Sequence, residues 1–399
     1  MDKRKKRRRV DYSILLLPAG GAALVIIIAF LIAGIVRHGK HSGTSAASPG
    51  GNDAAVTAAV LSEGSFATSD GEGAETAVSG EAGAISEAAE SAADSAAVPE
   101  TVTITVSACG DCTLGIDDSF DYDTSFNASY DEHEPGWFLE KAGDWFGTDD
   151  LTIVNFEGVL STGGERQDKT YAFRGSPDYV NVLTEGSVEA ANLANNHSFD
   201  YGEDAYEDTK RILADAGIVT FGYDRSAIME IKGIKVGLTG TFALYDDWEA
   251  EGRLTEQIEW CREQGAEFII SSFHWGYEGT YEQSELQEHL GHTAIDAGAD
   301  LVIGHHPHRL QPHEIYKGRH ILYSLGNFCF GGNRSPSDMD CAICTQTFTF
   351  EDGVLTDSDD FEIIPFSISS AEDYNNYRPS PLEGDAAERA MEKIYTISN

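Results

Sequence analysis

The chain is predicted to fold as an α/β domain of sheet strands with flanking helices, and three observations predict it. Short apolar runs rich in β-branched residues, such as LTIVNF (151–156), IKVGLTGTF (234–242), FIISSF (268–273) and LVIG (301–304), alternate with amphipathic stretches such as GEDAYEDTKRILADAG (202–217) and SELQEHLGHTAIDAG (284–298). The polar clusters GD, NFE, NNH, FHWG and HHPH each sit at the carboxyl end of an apolar strand, the edge at which α/β folds bind ligands. Over 399 residues, 41% hydrophobic and 24% charged is ordinary globular composition, which excludes fully disordered and fibrous readings.

Taken from the amino terminus, residues 1–13 form a basic tail containing KRKKRRR, followed by 23 residues without a charge, 14–36. As a helix, that stretch is long enough to cross a hydrocarbon core of about 30 Å. A cleaved signal peptide is the rival reading, since small residues follow at 44–47, but its apolar core runs to only about 7–15 residues. An uncleaved single-pass anchor is therefore expected, with the basic tail held in the cytoplasm and everything after Arg37 outside the cell. Residues 37–100 read as a disordered acidic linker: between 41 and 100, 35 of 60 residues are Ala, Ser or Gly and none is Lys or Arg. Such a stretch cannot bury enough apolar surface to offset its ordering entropy.

The folded domain is expected over 101–370. It opens with TVTITVSA (101–108), whose alternation marks a strand, and closes with a hairpin through TFTFEDGVLTDSDDFEIIPFSIS (347–369). A tail with a short helix near 381–397 completes the chain over 371–399. Residues 101–399 carry 18 Lys or Arg against 55 Asp or Glu. That balance repels phosphate backbones, excluding nucleic acid as a partner and making metal cations the natural company.

The strand-end side chains sort by chemistry. Asp111 and Glu157 offer carboxylates, Asn196 an amide oxygen, and His274, His306 and His308 imidazoles, a set suited to one or two divalent transition ions such as Mn, Fe or Zn. His306-Pro307-His308 can address two neighbouring ions from one loop, and Glu157 is the candidate bridge between them. His197, beside Asn196, is then free to donate a proton to a leaving group. Each piece alone has a plainer reading: GD as a turn, NNH as a capping turn before a helix starting at Asp200 or Gly202, His274 as a hydrogen-bonded structural residue. Their convergence on successive strand ends is what indicates a metal site.

The succession Gly110-Asp111, NFEG (155–158), ANNHSFDYG (194–202), HWGYE (274–278), GHHPHRLQ (304–311) and YSLGNF (323–328) resembles the CapA-type poly-γ-glutamate capsule-synthesis proteins, a branch of the calcineurin-like metallophosphoesterase superfamily. The resemblance covers roughly 103–330 and implies a four-layer α/β/β/α sandwich of two mixed sheets, preceded here by one transmembrane helix. It implies Asp111 and His308 at a first metal, Glu157 at the bridging position, Asn196, His274 and His306 at a second, and His197 as acid. It also implies poly-γ-glutamate and capsule-synthesis membrane subunits as partners. Two functions stay open: a metal-dependent hydrolase of phosphoester or γ-glutamyl bonds, and a non-catalytic component of a capsule-export assembly. The chain departs from the superfamily at Thr113, where the first motif has a histidine, and at His305, an additional histidine; Asn155 is a candidate replacement ligand.

Six cysteines stand at 109, 112, 261, 329, 341 and 344, including the pairs CGDC and CAIC. In an exported chain a disulfide within or between the pairs is expected, a four-cysteine zinc site is the rival, and Cys261 in a predicted helix is expected to be a buried thiol.

Overall fold

The computed structural model describes residues 100–398 apart from residue 224. The basic tail, the apolar stretch 14–36 and all but the end of the linker lie outside the described residues; among those described, no helix is long and apolar enough to cross a membrane.

Strands run β1 (Thr101–Thr113), β2 (Leu151–Phe156), β3 (Val159–Leu160), β4 (Arg174–Gly175), β5 (Ala190–Asn192), β6 (Val219–Phe221), β7 (Ala227–Ile231), β8 (Ile234–Leu244), β9 (Phe268–Gly276), β10 (Leu301–His305), β11 (His313–Tyr316), β12 (Arg319–Leu322), β13 (Asn327–Phe330), β14 (Asp340–Glu351), β15 (Val354–Ser367), β16 (Ser380–Pro381) and β17 (Thr396–Ser398). The helices are α1 (Phe126–Glu132), α2 (Gly143–Phe146), α3 (Val180–Glu185), α4 (Glu203–Asp215), α5 (Ala250–Glu263), α6 (Glu285–Ala297) and α7 (Gly384–Lys393).

Two mixed sheets organise the domain. The first runs β16-β15-β14-β1-β2-β5-β6, with β13 pairing onto the far end of β1; the second runs β17-β11-β12-β10-β9-β8-β7. Parity explains the layering. Alternate residues of a strand face opposite sides, so Ile153 joins a core between the sheets while Val154 joins one under α1–α4, and Ile270 faces the first sheet while Ile269 packs under α5 and α6. Strands buried on both faces read as continuous apolar runs, and all six residues of β2 are buried. Helix–sheet–sheet–helix layering follows.

Local chemistry sets the helix ends. Ser284 and Gln287 form a capping box on α6, and Gly298 ends it at φ 114. Gly202 precedes α4 at φ 82, one of the two starts expected. The β14–β15 hairpin and the helix near 381–397 also appear as expected. Residues 371–399, expected as a tail, are instead part of the domain: β16 pairs with β15 of the first sheet and β17 with β11 of the second.

The cysteine expectation is corrected for CAIC and for the four-cysteine site. All six are buried free thiols, Cys261 among them as expected. Residues three apart on a strand point to opposite faces, so Cys341 faces the helix-covered core and Cys344 the core between the sheets. That parity prevents CAIC from closing and breaks up a four-cysteine site. Cys109 and Cys112 share a face across a bulge, with their sulfurs 4.0 Å apart.

Candidate metal centre

The parallel strand ends bring the polar clusters level with one another. Asp111 on β1 registers with Asn155 on β2 and with Asn327 on β13, and His274 on β9 registers with His305 on β10. The glycines of the motifs permit this closeness: a Cβ on Gly110 would lie 2.2 Å from the Gly326 carbonyl oxygen, and one on Gly304 2.2 Å from that of Tyr323.

Glu157, His306 and His308 converge there, with one ligand atom from each lying within 4.8 Å of the others. Glu157 and His306 are wholly buried, yet both Glu157 oxygens and both His306 nitrogens lack a hydrogen-bond partner. An orphaned buried polar atom costs about 1–3 kcal/mol, so four in one group call for a cation to satisfy them. The loop carrying them is also strained: His306 has φ 95 and His308 φ 53, in the left-handed region that non-glycine residues avoid. Such strain persists where the surrounding structure imposes it, and it clusters at functional sites.

The surrounding polar groups orient these ligands. His308 Nδ1 lies 2.8 Å from Asn327 Oδ1 and 3.2 Å from Asp111 Oδ2, which places the proton on Nδ1 and frees Nε2 for an ion. Asn155 acts as a clamp: its Nδ2 donates to Asp111 Oδ1 (2.9 Å) and contacts His274 Nδ1 (3.2 Å), while its Oδ1 accepts from Asn192 (3.0 Å). With both ends of its amide engaged, Asn155 positions ligands and does not replace one. His274 Nε2 lies 2.7 Å from Asn196 Oδ1 and 3.3 Å from Glu157 Oε1, so this pair adjoins the Glu157 group. Asp111 is adjacent too: its Oδ1 accepts from Asn155 with His305 Nδ1 3.2 Å away, and its Oδ2 lies 3.2 Å from His308 Nδ1 and accepts from the His306 backbone N–H. Of the neighbouring histidines, His306 has a ring nitrogen within reach of the Glu157 and His308 ligand atoms, while His305 Nδ1 faces Asp111.

Electrostatics follow from burial and neighbours. Burial opposes the charge on Asp111, but hydrogen bonds from His305 and His308 outweigh it and hold the carboxyl well below its usual range. Glu157, desolvated and facing the Asp111 charge, is pushed well above it. Burial also opposes the charge on His308, yet Glu157 and Asp111 lift it to about 9. Burial and the His308 charge push His306 down to about 3, and burial with the His306 charge lowers His274 well below the usual range. Neutral His306 and His274 are in the form that ligates a metal.

His197 is ordered beside this group. Its Nδ1 lies 2.7 Å from Asp200 Oδ2, leaving Nε2 as the free nitrogen. Lys169 Nζ spans Asp200 Oδ1 (2.6 Å), the Asn196 carbonyl (2.8 Å) and His197 Nδ1 (3.3 Å). Sequence reasoning placed Asp200 at a helix start and overlooked Lys169; neither the spacing in SFDYG nor the aperiodic 161–173 segment signals the contact. The supporting residues Asn155, Asn192, Asn327 and Asp200 are short polar side chains whose roles appear only in the folded chain.

Comparison with known proteins places the chain. The family model described as "Bacterial capsule synthesis protein PGA_cap" matches residues 105–332, more than half the chain. The chain is 30% identical over 210 residues to the PGA biosynthesis protein CapA of Bacillus subtilis (strain 168), covering 46% of this chain and 54% of that one. It is 31% identical over 188 residues to the capsule biosynthesis protein CapA of Bacillus anthracis, covering 42% and 46% respectively. The chain thus spans about half the length of these relatives. A hypothetical protein of known structure from Thermus thermophilus overlaps 66% of this chain and 99% of its own at TM-score 0.39 and 15% identity. With a family model covering the strand ends that carry the Glu157, His306 and His308 group, the chain belongs to the bacterial capsule synthesis protein family PGA_cap, of the metallophosphoesterase-like superfamily.

Proposed function

We propose that the protein is a membrane-anchored, cell-surface component of poly-γ-glutamate capsule synthesis or export, built around a divalent transition-metal centre. The observation that carries the metal is the buried Glu157, His306 and His308 group with its four unpartnered polar atoms. His274 and Asn196 are the adjacent donors, and Asp111 holds the histidine loop in place. A bound ion of Mn, Fe or Zn would supply Lewis acidity and an activated water. The capsule assignment rests on the family and on the printed names of the two CapA relatives. The anchor rests on KRKKRRR and the uncharged stretch 14–36, and residues 37–100 serve as the tether.

Two specific observations divide the catalytic question. His197, oriented by Asp200 with its Nε2 free, supports hydrolysis or transfer at a phosphoester or γ-glutamyl bond, with His197 protonating the leaving group. Thr113 at the third position of the first motif, where the superfamily has a histidine, supports a non-catalytic assembly role with a single ion.

The test is genetic. Deleting the gene and restoring either the full chain, a chain lacking residues 1–36, or His306→Ala, surface γ-glutamyl polymer is measured as glutamate released on acid hydrolysis. Only the full wild-type chain is expected to restore it. Unchanged polymer in the deletion strain contradicts the capsule role.

A further inference from the structure

In a domain with 55 acids and 18 bases over 101–399, most arginines lie against a carboxylate; Arg309 does not, but its donors are taken by the His308 carbonyl and Ser337 Oγ. Arg166, Arg174, Arg378 and Arg389 each lie against a carboxylate. Arg334 does not: among the described residues no acid lies within ion-pair distance of it. Its Nη1 donates to the Asn375 carbonyl at 2.8 Å, and its guanidinium stacks 3.9 Å over the Tyr374 ring. Tyr377, also in the lining of the cleft, contacts the same guanidinium, and these neighbours fix the plane of a group that carries five N–H donors.

Arg334 lines a cleft of about 470 Å³ together with Ser119, Ser125, Tyr171, Asn333 and Ser335. This volume falls within the range of small-ligand sites, about 300–1,000 Å³. Asp121 is the carboxylate in the lining, and its Oδ1 is already engaged by the Asp123 backbone N–H at 3.1 Å. The cleft adjoins the metal centre through a shared aromatic wall. The Phe173 ring lies 6.4 Å from Phe120 of the cleft and 4.5 Å from His197, and Phe330, two residues before the cleft residue Gly332, lies 5.3 Å from His308.

We propose that this cleft is a carboxylate subsite in which Arg334 pairs with a pendant carboxylate of an acidic γ-glutamyl chain running past the metal centre. The proposal rests on the polyglutamate reading above and adds to it the residue that grips the chain. A preoriented guanidinium fork matches a carboxylate bidentately, and Ser335, beside Arg334 in the lining, offers a hydroxyl donor. The grip is local. A net charge of −37 over 101–399 repels a polyanion, but at physiological salt that field is screened beyond about 8 Å, so one cation without a carboxylate partner, beside a hydroxyl donor, suffices for a short-range grip.

The test uses the full chain and two fluorescent probes, a γ-linked hexaglutamate and its uncharged side-chain amide counterpart, with binding followed by anisotropy. Wild type is expected to bind the acidic probe and not the amide. Arg334→Gln should weaken acidic-probe binding by about 10- to 100-fold, the worth of a charge-assisted hydrogen-bonded pair. Arg334→Lys, which keeps the charge without the fork, should fall between them. Metal content and unfolding temperature are measured on each variant so that a local folding defect is recognised. Equal acidic-probe affinity in wild type and Arg334→Gln overturns the subsite alone, and equal affinity of wild type for both probes overturns carboxylate pairing. Failure of metal-bearing wild type to bind either probe overturns the polyglutamate reading as well.

Discussion

Asn155→Ala removes the clamp that holds the two halves of the site together, and its effect can be worked from three contacts. The amide donates to Asp111 Oδ1, contacts His274 Nδ1 and accepts from Asn192 Nδ2, and all three partners are wholly buried. Truncation leaves each of those atoms without this partner in a place water does not reach. At about 1–3 kcal/mol for each unsatisfied buried polar atom, the loss is at least about 3 kcal/mol before any relaxation. Because Asp111 in turn holds His308 and the His306 backbone, the ligand loop also loses its support. Residues in this supporting position typically change metal affinity by about 10- to 100-fold. Urea unfolding in chelator measures the first effect, and titration with Mn or Zn measures the second. A destabilisation under about 1 kcal/mol with unchanged metal affinity would refute the clamp.

Three further outcomes are expected. His197→Ala should keep its metal and fold, while any hydrolytic turnover falls by about 10²- to 10⁴-fold and by less on nitrophenyl esters, whose leaving group needs little protonation; a variant that loses its metal would mark His197 as structural. Burial and the neighbouring His320 charge lower His313 to about 4, so the folded state binds fewer protons there than the unfolded chain, and stability is lost as pH falls from about 6.5 to 4. The stability advantage of wild type over His313→Gln should therefore shrink between pH 7 and pH 4 by up to about 3 kcal/mol, and a constant difference would contradict it. Gly110→Ala, whose Cβ would lie 2.2 Å from a backbone oxygen, should destabilise the fold by several kcal/mol, roughly the scale of overpacking at an unyielding site; a stability equal to wild type would show that β1 and the 325–326 turn separate easily.

Much of the fold was legible because strands buried on both faces leave uninterrupted apolar runs, as in LTIVNF and FIISSF. The site was legible where polar residues terminate those runs, since strand ends sharing one sheet edge must share one neighbourhood. What escaped depends on register and parity. Asn155 sits inside NFE and looks like a turn residue until β2 is set beside β1 and β5. Asp200 lies three residues after His197, a spacing equally suited to a helix start, and only the folded loop turns it back onto His197 Nδ1. The CAIC pair misled because C-x-x-C spacing suggests closure, whereas an extended strand sends Cys341 and Cys344 to opposite faces. The last 29 residues read as a tail because two strands of two and three residues carry too little pattern to announce themselves.

The most direct test of the metal centre is the transition-metal content of the full chain purified without chelator, measured by elemental mass spectrometry. Wild type is expected to carry about one ion or more per chain, with occupancy falling by about tenfold or more in Glu157→Gln and His306→Ala, each of which deletes a ligand. His305→Ala, which removes a contact to Asp111 and no ligand of the Glu157 group, should retain most of it. A folded wild-type chain that is metal-free as purified and takes up no Mn, Fe or Zn would contradict the account.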